Sequence, residues 1–207
     1  NNSGDLDINS DIKNALRVAG FWTSNNNTAN YVTFTDCHNS GYINVVDTTT
    51  TTANNVSHTG GFIGYTNKPV TFDGCSNSGK VVDGVEKGIY VERNCNAGYF
   101  CVGGAIGWCY NADVTIRNGF TNSAKIHSKV NNSYNKLNTA LGYPVGGIIA
   151  IYHKAEATFD WEGEVKNTGE IVLEGGTTVT RLGVGGIVGI SNATATCEAN
   201  LVNTGKI

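Results

Sequence analysis

The chain has 207 residues, of which 27 are Gly, 27 Asn and 23 Thr, while Asp, Glu, Lys and Arg together make up 15%. That balance excludes a helical bundle, whose exposed faces are rich in Glu, Lys and Arg. A formal net charge of -3 argues against nucleic acid as a partner, and no apolar run is long enough to form a membrane helix, so no membrane insertion is expected.

In chain order, Asn2-Ser-Gly-Asp-Leu6 is the first of six copies of a motif Asn-[Ser/Thr]-small-x-apolar. Residues 10–18 read as a helical turn. Ala19-Gly-Phe-Trp22 then opens a worn copy of a second motif, and residues 24–30 read as a loop. Val32-Thr-Phe34 alternates with period two, as a half-buried strand does. Asn39-Ser-Gly-Tyr-Ile43 follows, then a loop over 47–59. Gly60-Gly61 begins GGFIGY, Val70-Thr-Phe72 is the next alternating strand, and Asn77-Ser-Gly-Lys-Val81 closes the repeat. Lys80-Val-Val82 reads as a third strand and 83–101 as a loop. Gly103-Gly104, Val114-Thr-Ile116 and Asn122-Ser-Ala-Lys-Ile126 repeat the order, with a loop over 127–143. Gly146-Gly147, Ala157-Thr-Phe159 and Asn167-Thr-Gly-Glu-Ile171 repeat it again, with a loop over 174–183. Gly185-Gly186 and Asn203-Thr-Gly-Lys-Ile207 end the chain.

Successive motif Asn residues lie 36 to 45 positions apart. Each copy is too small to bury its own apolar face, so copies must stack. The expected architecture is all-β: a parallel β-helix (β-solenoid) of about five ~40-residue repeats, each with three strands. A five-bladed propeller is the alternative, set back because a blade needs four strands. The whole of 1–207 reads as one repeat domain, with copies at 1–18 (partial), 19–59, 60–102, 103–145, 146–184 and 185–207 (partial). Both ends fall at the same phase of the repeat, which leads us to expect a longer array.

Stacking predicts columns. Asn39, Asn77, Asn122, Asn167 and Asn203 would form a structural ladder at a corner of the coil, satisfying backbone groups or one another. Two places earlier, Cys37, Cys75, Phe120, Val165 and Leu201 would face inward. The paired glycines lack the following Lys and helix of a phosphate loop.

The order GG-[FAI]-[IV]-G, apolar–Thr strand, C-x-N-[ST]-G-x-[IV] resembles the GLUG repeat of bacterial surface proteins, most clearly at 60–81 and 185–207. Gly103-Gly-Ala-Ile106 and Phe72 are also similar to the GGAI and FxxN repeats of polymorphic membrane proteins. Ala124 in place of Gly, and Phe120, Val165 and Leu201 in place of Cys, depart from the GLUG pattern. Both resemblances imply β-helix passengers of secreted or surface-anchored proteins, and neither brings a catalytic residue.

Six Cys stand at 37, 75, 95, 101, 109 and 197 with no C-x-x-C, and the four His do not fall at metal-finger spacing, so no metal or cofactor is expected. Cys37 and Cys75 read as buried small hydrophobes. A Cys95–Cys101 disulfide is expected, with Cys109 the alternative partner. Of five Asn-x-[Ser/Thr] sequons, Asn26, Asn55 and Asn131 lie in expected loops and are the candidates for N-glycosylation. Asp36 and Asp73 come close to the matching places that sugar chemistry requires, with Asp160 and Glu198 in the corresponding stretches of later copies. All four read as solvated positions beside a bulge. Trp22, Tyr65, Trp108 and Tyr152 fall near the ends of successive strands, either as an edge stack or as a stripe on which glycans could stack. The expected function is a non-catalytic extracellular or cell-surface segment, an adhesin, stalk or filament subunit, whose partners are other copies or neighbouring repeats. The alternatives are a carbohydrate-binding module meeting host or environmental glycans through the aromatic stripe, and a β-helix polysaccharide-active enzyme.

Overall fold

The computed structural model describes residues 1–11, 15–25, 31–48, 56–94, 100–131, 143–154, 159–175, 182–192 and 197–207. Every regular element among them is a strand, and four sheets run along the stack. Sheet 1 is built from Leu6–Ser10, Ile43–Asp47, Ile89–Arg93, Ile126–Val130 and Ile171–Glu174. Sheet 2 contains Leu16–Ala19, Ser57–Gly60, Phe100–Gly103, Tyr143–Gly146 and Leu182–Gly185. Sheet 3 holds Trp22–Asn25, Ile63–Thr66, Ile106–Tyr110, Ile149–His153 and Val188–Ser191. Sheet 4 runs through Val32–Thr35 with His38–Asn39, Val70–Asn77, Val114–Asn122, Phe159–Trp161 with Glu164–Asn167, and Asn200–Asn203. All neighbours within these sheets pair in parallel, one coil on the next, so the chain is a parallel β-helix. Strands that pair from coil to coil exclude the propeller, whose blades are separate sheets.

Each coil has four strands, not three. The unexpected one leads into the Gly pair in every coil. It ends on the first glycine of the pair, or on Ala19 in the worn copy, and overlaps the ends of segments read from the sequence as loops or, at Leu16–Ala19, of the segment read as a helical turn. The sheet 1 strands Ile89–Arg93 and most of Ile126–Val130 also replace expected loop. Ser57-His-Thr-Gly60 shows why: it lacks alternation because all four residues are buried. Sheet 2 is covered on both faces, and a strand buried on both sides carries no period-two signal.

The Gly pair reverses the chain between sheets 2 and 3, which lie back to back. Gly107 allows that approach, since a Cβ there would come within 2.9 Å of the Thr59 backbone. Two apolar cores flank this pair of sheets. Leu16, Val18, Ile43, Ile89, Val102 and Ile126 fill the space between sheets 1 and 2. Ile63, Ile106, Phe72, Ile116, Phe120 and Val165 are among those filling the space between sheets 3 and 4. There Phe34, Phe62, Phe72 and Phe120 meet with ring centroids 5.2–5.5 Å apart.

One coil departs from the pattern. After Asn77-Ser-Gly79 the chain makes an antiparallel hairpin, Lys80–Val82 with Val85–Lys87, before sheet 1 resumes at Ile89. Lys80–Val82 is therefore not the sheet strand its motif implied. Asp83 and Gly84 both have positive φ, 51° and 76°, the conformation of a two-residue type I′ turn.

Candidate functional site

The Asn motif builds the corner between sheets 4 and 1. Asn2 donates to Asn39 at 2.8 Å, Asn39 to Asn77 at 2.8 Å and Asn77 to Asn122 at 2.7 Å. Asn122 then donates to Asn167 at 2.7 Å, and Asn167 to Asn203 at 2.9 Å. Asn39, Asn77, Asn122 and Asn167 are buried, and the second glycine of each pair packs on this column. A Cβ on Gly104 would sit 2.7 Å from the Asn122 Cγ and 2.0 Å from the Gly147 oxygen. Asn is a good fit here because its amide donates along the stack while its oxygen accepts from the coil behind.

The four aromatic candidates do not make one exposed stripe. Trp22 shares a column with Ile63, Ile106 and Ile149, whereas Tyr65 and Trp108 share one with Ser24, Ile151 and Ile190. Tyr152 stands one column further on, opposite Cys109, and is fully buried. Tyr65 and Trp108 are half-buried where sheets 2 and 3 meet, and between them lies His58. The His58 ring stacks on Tyr65 at 5.6 Å and meets Trp108 edge-on at 4.9 Å. Neither of its nitrogens has a hydrogen-bond partner among the described residues. Burial, with Arg17 and Arg93 nearby, lowers its pKa to about 3.

The acids of sheet 4 are partnered from neighbouring coils. Arg117 holds both oxygens of Asp160, at 2.9 and 2.6 Å, and reaches Glu162 at 3.3 Å, while Asn118 donates to Asp73 at 2.7 Å. The Arg117 guanidinium holds the Asp160 carboxyl below its ordinary range. Asp36 occupies a left-handed position, φ 48°, at the bend of the sheet, and Glu198 is exposed, one residue beyond the Phe159–Cys197 bridge.

Cys37, Cys75, Cys101, Cys109 and Cys197 are free thiols. Cys101 is fully buried beside Ala150 and Ile151, and burial pushes its thiol well up. Its expected partner Cys95 lies outside the described residues, as do the sequons' Asn26 and Asn55. Asn131 is exposed, and its amide donates to Glu92 and, at 3.0 Å, to Asn94. Among the described residues no three His, Cys, Asp or Glu side chains gather as a metal site.

A concave site that sequence reasoning missed lies where the 80–87 hairpin stands against the outer face of sheet 1. It is a groove of about 360 Å³. Its floor is one column of that sheet, Asp7, Asn44, Tyr90 and His127, contributed by four successive coils. Its wall is Val85, Glu86, Lys87 and Gly88. Lys80 pairs with Asp5, and Lys80 and Lys87 lie over the Tyr42 ring at 5.2 and 5.1 Å, which fastens the hairpin in place. On the floor Asn44 donates to Asp7 at 2.8 Å, and Tyr90 meets His127 edge-on at 5.1 Å while its hydroxyl donates to Glu92. Burial and that carboxylate push the Tyr90 pKa up. The Asp83-Gly84 turn between Val82 and Val85 was the available signal, since Asp-Gly flanked by apolar residues marks a hairpin.

Comparison of the chain with protein-family models, curated proteins and solved structures returns no match.

Proposed function

We propose that this chain is a non-catalytic, load-carrying repeat segment of an extracellular surface protein, acting as stalk or adhesin passenger. The observation that carries the reading is the unbroken amide ladder from Asn2 to Asn203, running alongside four sheets whose strands pair in parallel from coil to coil. A device that joins every coil to the next through its buried corner is what an extended scaffold requires. Binding of the sheet 4 carboxylates by Arg117 and Asn118 supports a structural role for those acids. The resemblance of 60–81 and 185–207 to GLUG repeats is the ground for the surface location.

Antibodies against the folded chain test the location on intact source cells. Labelling without permeabilisation is expected, and labelling only after permeabilisation would overturn it. Incubation with a panel of polysaccharides tests the rest: release of new sugar ends by the purified chain would show an enzyme.

A further inference from the structure

We propose that the groove between the 80–87 hairpin and sheet 1 binds a neutral, linear oligosaccharide lying along the stack. The inference does not depend on the stalk reading. It begins with the hairpin, which interrupts a repeat that the other coils complete without it. Asn122-Ser-Ala-Lys-Ile126 and Asn203-Thr-Gly-Lys-Ile207 turn the same corner directly. The hairpin also exposes Val81 and Val85 at 69% and 60%, which folding alone would not favour. A two-stranded hairpin is marginal on its own in water. This one is held over the groove by the Asp5–Lys80 pair and by two lysines over Tyr42, so its wall is formed before any ligand arrives.

The lining identifies the ligand class. The groove carries two carboxylates, Asp7 and Glu86, and two ammonium groups, Lys87 and Lys125, so its charges cancel. Lys125 is further neutralised by Glu170 at 2.5 Å. A phosphorylated or strongly acidic ligand therefore finds no net attraction here. A sugar ring presents an apolar C–H face and a rim of hydroxyls that both donate and accept. Tyr90 offers surface for the first, and Asp7, Asn44 and His127 offer partners for the second. The four floor residues stand one per coil, so at the ~4.8 Å strand spacing they span roughly 14 Å, room for more than one ring. An extended peptide lying across the floor is disfavoured because three of its four strands, Ile43–Asp47, Ile89–Arg93 and Ile126–Val130, are already paired on both sides. A cavity of this volume lies at the lower end of the range for small-molecule sites.

The test is a titration of the intact chain with neutral hexose oligosaccharides, acidic oligosaccharides and extended peptides, followed by saturation-transfer NMR and calorimetry. Two variants accompany it. Deleting 81–88 leaves Asn77-Ser-Gly-Lys joined to Ile89, the corner found at the last coil, and removes the wall. Tyr90→Ala removes the ring on the floor. Neutral oligosaccharide binding that falls at least tenfold in both variants, with unchanged thermal midpoint and circular dichroism in the deletion, is expected. Failure of every neutral saccharide to bind the intact chain would overturn the proposal. So would equal binding by the deletion variant, or a preference for acidic saccharides or peptides.

Discussion

Asn122 is bonded in both directions along the stack, accepting from Asn77 and donating to Asn167, both at 2.7 Å. Replacing it by Ala removes both bonds, together with a third to the Ala124 carbonyl at 3.1 Å, and leaves the buried Asn77 amide without its acceptor. Losing three hydrogen bonds and stranding a buried donor costs roughly 2–5 kcal/mol. Asn203, at the exposed end of the ladder, accepts one such bond, and Asn203→Ala should cost about 1 kcal/mol or less. Urea unfolding of both variants reads the difference, and equal losses would deny the ladder its role. His58 makes a second prediction at this scale. Its folded pKa of about 3 lies below the unfolded value of 6.5, so the unfolded chain takes up the proton first. Stability is therefore full above pH 6.5 and falls as pH drops, by up to about 1.4 kcal/mol per unit. The groups facing the ring are Arg17, Arg93, Tyr65 and Cys101, and none becomes a carboxylate partner on acidification. Between pH 6.5 and 5.5, above the ordinary values of 3.8 and 4.5 from which Asp160 and Glu170 are lowered, His58→Phe should flatten the stability profile. An unchanged slope would place its cause elsewhere.

Sheet 1 shows how one column can change character from coil to coil. Its last inward position reads Ser10, Asp47, Arg93 and Val130 in successive strands. Arg93 donates to Asp47 at 2.8 Å with both side chains almost wholly buried, and its guanidinium lies 3.9 Å from the centroid of the Phe100 ring. Removing one charge of such a pair costs about 3–5 kcal/mol, whereas replacing both by apolar groups of similar size is often neutral or stabilising. Arg93→Met alone should therefore destabilise strongly, and Asp47→Val with Arg93→Met should recover most of the loss in thermal and urea melts. A double variant no better than the single would assign the loss to packing on Phe100. The elements also show what could be read beforehand. The alternating strands, the Asn corner and the Gly pair were legible because each repeats a residue type at a fixed phase. Strands such as Ser57–Gly60 were not, because burial on both faces removes alternation. The groove was hidden for another reason: Asp7, Asn44, Tyr90 and His127 share no residue type, and Ile89, not Val81, continues the sheet column. The single aromatic stripe does not form, since Trp22, Tyr65 and Tyr152 stand in three different columns.

Across the whole stack, a coil's stability depends on its neighbours more than on its own sequence, as in other solenoids. The middle coils are covered above and below: Ile63, Ile106 and Ile149 have no exposed surface. In the last coil 183–190 is only half-buried and Leu201 is 47% exposed, and in the first Trp22 is 39% exposed. Stability is thus expected to be graded along the axis, with the coils containing residues 57–77 and 100–122 as its most protected part. Hydrogen exchange followed by mass spectrometry should find slowest exchange there, faster exchange in Trp22–Asn25, and the fastest in 183–192 and 200–203. Breaking the ladder at its centre with Asn122→Ala should raise exchange in 143–154 and 159–174 more than in 57–66. The downstream coils then hold only the less covered end of the stack. Uniform exchange in the wild type, or an equal response on both sides of Asn122, would show a single cooperative block in place of a chain of coupled coils.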